Sequence, residues 1–205
     1  GSIADPFLPN KINDGCTDDI RECIGCNMCV SRMQQQALLS CTQNATSGEE
    51  YRRGWHPEKF EPATDPGSVL VVGAGPAGLE CARVLGLRGY DVHLREADGE
   101  VGGHLRNVMR YPGLAEWGRV ISYREGQLAK AKNVEVHTNT TLASNDVLTY
   151  GADKVVLATG SHWAKDGFGH VTMAPIPGVD ASTAQFLTPE QVMAGEAVGD
   201  RVVVL

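Results

Sequence analysis

The run Val71-Val72-Gly73-Ala74-Gly75-Pro76-Ala77-Gly78 limits the fold of this chain more than any other stretch. It follows a short β-branched segment, residues 68–72, and leads into residues 73–89, which read as a turn and then a helix with Leu79, Ala82, Leu85 and Leu87 largely on one side. Residues 91–95 (DVHLR) give the next strand. Strand, helix and strand within about thirty residues form a βαβ unit, which crosses over right-handed and builds a parallel sheet. The fold class expected from this stretch is α/β.

Each glycine of G-x-G-x-x-G has a separate task. Gly73 turns the chain, Gly75 lets a pyrophosphate approach the backbone, and Gly78 packs helix on strand. The helix start after Pro76 offers unpaired N–H groups to an anion. Glu96 closes the second strand, eighteen residues after Gly78, where it can accept hydrogen bonds from ribose hydroxyls. The glycines alone are a weak signal, but strand, helix and acid together make a strong one. Beside it, Arg95 reads as an exposed strand-end residue, because Glu96 would repel a 2′-phosphate.

A second glycine turn, Gly102-Gly103-His104-Leu105, stands where it could pass near the nucleotide, although an ordinary tight loop explains it almost as well. Leu114, Trp117, Val120, Ile121 and Leu128 suggest an amphipathic helix, residues 134–137 a strand, and residues 154–157 (KVVL) another strand ending at Thr159 and Gly160. Ligands of open α/β sheets bind at that carboxyl edge.

Cys23, Cys26 and Cys29 lie three residues apart, and Cys41 follows twelve residues after Cys29. Three thiolates so close can wrap one corner of a [4Fe-4S] cluster while a distant fourth closes it. Zinc usually takes two ligands from each of two separated knuckles, so iron–sulfur is the better match and zinc stays the alternative. Gly25, Asn27 and Met28 let the backbone turn tightly between the ligands. Cys81, on the helix after the glycine loop, is expected in the core, and Cys16 has no special role.

The rest of the chain divides around these motifs. Residues 1–22 are a polar lead-in, and residues 23–60, without clear periodicity, suit a loop-rich cluster module. Residues 61–67 (EPATDPG) read as a linker and residues 68–205 as a nucleotide-binding domain. The final run, residues 201–205 (RVVVL), looks like a strand without its neighbours, and both ends look cut from a longer protein. A net charge of -7 argues against nucleic-acid or anionic-membrane partners, and the Arg52–Arg53 pair reads as solvated or salt-bridged surface. No apolar run is long enough for a membrane span and no signal peptide is recognisable, which points to the cytoplasm.

The segments CIGCNMCVSR (23–32), CTQNATSGEEYRRGWHPEKF (41–60), VLVVGAGPAGLE (69–80) and GYDVHLREADGEVGGHL (89–105) resemble the trimethylamine and dimethylamine dehydrogenase family. The likeness runs from IADPFLP (3–9) to PIPGVDAS (175–182), with histamine dehydrogenase a near relative and 2,4-dienoyl-CoA reductase a more distant one. The resemblance implies an FMN-bearing (β/α)8 barrel, absent here, whose tail would be residues 1–22. It also implies a [4Fe-4S] cluster on Cys23, Cys26, Cys29 and Cys41, and a Rossmann-like domain of the flavoprotein disulfide reductase type. There ADP would replace the adenylate half of FAD, which stays the alternative occupant. Implied contacts are Gly73, Gly75, Pro76, Ala77, Gly78, Glu96, Gly103, His104, Leu105, Thr159 and Gly160. The family oxidises small amines and passes single electrons to an electron-transferring flavoprotein, and a homodimer is implied for the full-length protein. Two rivals remain: part of a dienoyl-CoA or enoate reductase using FAD and NADPH, and a non-catalytic, nucleotide-stabilised binding module.

Overall fold

In the computed structural model, residues 1–169, 172–179, 183 and 185–204 are described, and they form two compact units, 1–159 and 160–205. Asp180, Ala181, Ser182 and Leu205, which fall within two of the sequence segments above, lie outside the described residues. No helix among the described residues is long and apolar enough to cross a membrane.

The first unit opens with helix α1 (Leu8–Asn13) and a 3-10 turn at Thr17–Asp19, followed by α2 (Met28–Gln34) and α3 (Glu50–Arg53). Then come β1 (Ser68–Val72), α4 (Pro76–Leu87), β2 (Asp91–Arg95), α5 (Leu105–Val108) and a 3-10 turn at Ala115–Trp117. Helix α6 (Gly118–Lys130), β3 (Val134–His137), α7 (Ser144–Thr149) and β4 (Lys154–Leu157) complete it.

The expected βαβ unit is present. All strand pairs are parallel, in the order β3-β2-β1-β4, with Val69 opposite Val92 and Lys154, and Val71 opposite Leu94 and Val156. Period-two alternation places Val69, Val71, Val92 and Leu94 on one face, where they meet Leu79 and Ala82 of α4 and Ile121 and Leu128 of α6. Burial of each such aliphatic side chain contributes about 1.5–3 kcal/mol. Asn133 ties the helix layer to the sheet, donating from Nδ2 to the carbonyls of Gly86 (2.9 Å) and Tyr90 (2.7 Å).

Several expectations change in three dimensions. Leu87 does not share the buried side of α4: it is half exposed, and Gly86 faces the sheet instead. Leu114 and Trp117 precede α6 rather than belonging to it. The loop-rich module contains α2 and α3, two short helices with no buried residue, which is why no apolar stripe announces them. Arg95 is not an exposed strand end but is largely buried, with Nη2 2.9 Å from Glu135 Oε2. That hydrogen bond, with a second from His137, draws the Glu135 carboxyl down to about 2. Cys81 packs against the core as expected, where burial and the neighbouring Glu80 push its thiol up.

Most of the polar lead-in is exposed, but Asp5 and Arg21 are buried through polar pairing. Asp5 is fully enclosed and accepts hydrogen bonds from the Arg21 N–H (2.8 Å), the Phe7 N–H (3.0 Å) and Lys11 Nζ (2.8 Å). A larger network follows where α4 and α6 meet residues 21–58. Arg83 Nη2 and Arg124 Nε lie 2.7 and 2.8 Å from Glu80, while Arg21 Nη2 contacts Glu58 (3.3 Å) and the Tyr123 hydroxyl (3.4 Å). The second unit carries α8 (Pro189–Met193), started by a reciprocal cap in which Thr188 Oγ1 accepts from the Gln191 N–H and Gln191 Oε1 from the Thr188 N–H. Residues 201–204 are exposed and form no strand, because no described segment offers them a ladder.

Burial opposes ionisation of both Glu80 and Asp5, but hydrogen bonds from Arg83 and Lys11 outweigh it and hold both carboxyls below their ordinary value. A depressed folded-state value means stability present above the unfolded carboxylate value, about 4, and lost as pH falls through the folded one. Unfolding curves should therefore show stability declining below about pH 4, less steeply in Glu80→Gln. Glu80→Ala, which strands two buried arginines, should cost about 3 kcal/mol in urea denaturation at pH 7.

Candidate functional site

The four clustered cysteines converge. Cys23, Cys26, Cys29 and Cys41 line one cavity of about 240 Å³, together with Ile24, Gly25, Asn27 and Gln43. Two left-handed residues make this convergence possible: Gly25 (φ 67°) and Asn27 (φ 56°) reverse the chain between ligands, and Asn27 then starts the helix carrying Cys29. None of the four is in a disulfide. Two of the sulfurs already have hydrogen-bond partners: the Gly25 N–H donates to Cys23 Sγ (3.4 Å), and Thr42 Oγ1 shares a hydrogen bond of 3.1 Å with Cys26 Sγ.

The cavity wall is fastened to the sheet domain by side chains that no motif identifies. Arg119 at the start of α6 donates to the Cys23 carbonyl (3.0 Å) and pairs with Glu22 (3.3 Å). Gln43 donates from Nε2 to the Glu22 carbonyl (3.1 Å) and accepts from Arg124 Nη1 (2.9 Å). The two arginines lie some eighty to one hundred positions from their partners in the chain, so local pattern gave no signal of them. By contrast, Arg52 and Arg53 both pair with Glu49 at 2.7 Å, as expected of solvated surface. A donor set of four sulfurs around one cavity, without a histidine, fits an iron–sulfur cluster and also satisfies the four-sulfur requirement of zinc.

At the glycine loop, Gly73 turns with φ 97°, and its N–H is held by the Arg95 carbonyl at 2.7 Å. A Cβ on Gly78 would overlap the Gly73 carbonyl oxygen, so only glycine lets α4 pack this closely on β1. A Cβ on Gly75 would instead face open space, the opening a phosphate needs. The first intrahelical bond of α4 runs from the Leu79 N–H to the Gly75 carbonyl, which leaves the Ala77 and Gly78 N–H groups without intrahelical acceptors. Pro76 and Ala77 are exposed at this end.

Glu96 is buried at the end of β2, with Oε2 2.6 Å from the Ala74 N–H and Oε1 3.0 Å from the Asp98 N–H. It thus anchors the glycine loop, and each oxygen keeps a further lone pair for a ribose hydroxyl. The second glycine turn joins the first: the Gly102 N–H donates to the Ala74 carbonyl (2.8 Å), and a Cβ on Gly103 would stand 3.3 Å from Gly75 Cα. His104 is exposed at the start of α5, whereas Leu105 packs on the core and its N–H is occupied by the Gly102 carbonyl. Thr159, exposed after β4, has its Cα beside Gly73, while Gly160 (φ 81°) opens the second unit.

Residues 67–205 match the model of the family described as pyridine nucleotide-disulphide oxidoreductase. Over its whole length the chain is 54% identical to dimethylamine dehydrogenase of Hyphomicrobium sp. (strain x), covering 29% of that protein. Among solved structures, 95% of the chain superposes on 6-hydroxypseudooxynicotine amine oxidase from Pseudomonas geniculata N1 with TM-score 0.89 and 48% identity, covering 29% of it. It superposes on histamine dehydrogenase from Rhizobium sp. 4-9 over the same share with TM-score 0.88 and 49% identity, covering 28%. The chain therefore spans less than a third of the length of these relatives.

Gly78→Ala should be the most damaging change at the loop, because backbone rather than a flexible side chain opposes the added methyl. We expect the melting temperature to fall by several degrees. Gly75→Ala, whose methyl would meet nothing, should leave the melting temperature unchanged.

Proposed function

We propose that this chain, which belongs to the pyridine nucleotide-disulphide oxidoreductase family, is the electron-transfer and ADP-binding portion of an iron–sulfur flavoprotein amine dehydrogenase. The convergence of Cys23, Cys26, Cys29 and Cys41 on one cavity beside a nucleotide-binding fold carries the proposal. The similarity to a dimethylamine dehydrogenase and a histamine dehydrogenase supports the amine as substrate class, with di- or trimethylamine as its members here.

In this reading the four cysteines hold a [4Fe-4S] cluster. When bound, it supplies one-electron transfer between FMN, held by a (β/α)8 barrel beyond the present chain, and an electron-transferring flavoprotein. The protein contributes a fixed cavity. Arg119 and Gln43 hold the backbone on either side of Cys23, and Ile24, almost fully buried, limits water at the wall.

The nucleotide site takes ADP. Gly73, Gly75, Pro76, Ala77 and Gly78 present the helix N-terminus to the pyrophosphate, and Glu96 receives the ribose hydroxyls. Gly103 and His104 stand beside this loop, with Leu105 supporting their turn from the core, and Thr159 lies at the carboxyl edge. Residues 1–22 continue the barrel, 23–60 carry the cluster, 61–67 link, and 68–205 bind nucleotide. The full-length protein works as a homodimer in the cytoplasm.

Anaerobically purified protein should contain about four irons and four acid-labile sulfides per chain, and Cys26→Ala should lose them. Protein-bound nucleotide released by acid and resolved by chromatography should be ADP. Saturating ADP, at about a hundred times its dissociation constant, should stabilise the fold by about 2.7 kcal/mol. Zinc without iron would end the cluster assignment, and FAD with NADPH oxidation would move the chain to the enoate reductases.

A further inference from the structure

Of the four cluster cysteines, Cys26 has a side-chain hydroxyl within hydrogen-bond distance. Thr42 Oγ1 lies 3.1 Å from Cys26 Sγ, across sixteen residues of sequence, and it follows Cys41 directly in the chain. We infer that Thr42 is a positioning residue that sets the reduction potential of the cluster through this hydrogen bond. The inference rests on the cluster assignment above.

The direction of the bond follows from ligation. A free thiol could donate or accept, but an iron-bound thiolate has no proton, so the Thr42 hydroxyl must then donate. A neutral O–H donated to an anionic sulfur is a charge-assisted bond. Reduction adds one electron to the cluster and removes no proton from Thr42, so the sulfur becomes more negative while the donor is unchanged. The reduced state gains more from the bond than the oxidised state, and the potential rises. The Gly25 N–H acts similarly on Cys23, but it belongs to the backbone and no side-chain substitution removes it. Thr42 is also the residue that links the two ligand-bearing segments at sulfur level, joining the loop after Cys41 to Cys26.

The test compares anaerobically purified holoprotein of wild type, Thr42→Val and Thr42→Ser in a dithionite titration followed by the electron paramagnetic resonance signal of the reduced cluster. Valine keeps the shape and removes the donor, whereas serine keeps the donor. We expect the one-electron reduction equilibrium of Thr42→Val to fall three- to tenfold, a midpoint about 30 to 59 mV more negative, with Thr42→Ser close to wild type. An unchanged midpoint in a fully loaded Thr42→Val overturns the inference and leaves the cluster assignment standing. Wild-type protein without iron and acid-labile sulfide overturns both. If Thr42→Val takes up no iron, Thr42→Ala replaces it, and the same criterion applies. Loss of the cluster from both, with retention in Thr42→Ser, assigns Thr42 to cluster retention and overturns its role in the potential.

Discussion

The Glu80 carboxylate is the point on which this molecule turns. It is in the first turns of the helix that begins at the glycine loop, and it neutralises Arg83 and Arg124, two largely buried guanidinium groups. Arg124 in turn holds Gln43, which lines the cysteine cavity and supports the backbone of Glu22. One anion therefore joins the helix after the glycine loop to the wall of the cysteine cavity. Three guanidinium groups, counting Arg21, meet at this junction, with Glu80 and Glu58 lying among them.

Polar fastening of this kind suits a segment that has little apolar surface of its own. Helices α2 and α3 bury no residue, and much of what is buried between residues 1 and 60 is polar: Asp5, Arg21, Gln43, Asn44, Thr46 and Ser47. A cluster bound to four cysteines would add covalent cross-links where hydrophobic burial is thin. The sheet domain is organised differently. Its aliphatic strand faces and the Gly73–Gly78 contact hold it together, and its site is mostly backbone: positive-φ glycines and the open N–H groups of a helix start.

The two sites were not equally legible. Glycines at 73 and 78 announce their geometry because a side chain would be strained or blocked there, and cysteines spaced by three announce a candidate ligand set because few other causes produce that spacing. The short helices after Cys26 and the burial of Asp5 and Arg21 gave no such signal, since neither rests on an apolar repeat. Arg95 was misjudged because a charged strand end is usually solvated, and its partner Glu135 belongs to a strand forty residues later. Leu87 was misplaced by a helix turn that presents Gly86 to the sheet instead.

By itself the sequence determined the parallel βαβ core, the tight glycine turn at the helix start and the close spacing of three cysteines, because each follows from local sterics or from position along the chain. Only the tertiary structure decided that Cys41 joins the other three at one cavity, that Arg119, Arg124 and Gln43 brace its wall, and that Thr42 reaches Cys26. These contacts join residues twelve to about one hundred positions apart. Their partners are chosen by how the elements pack, a choice that periodicity along the chain does not encode.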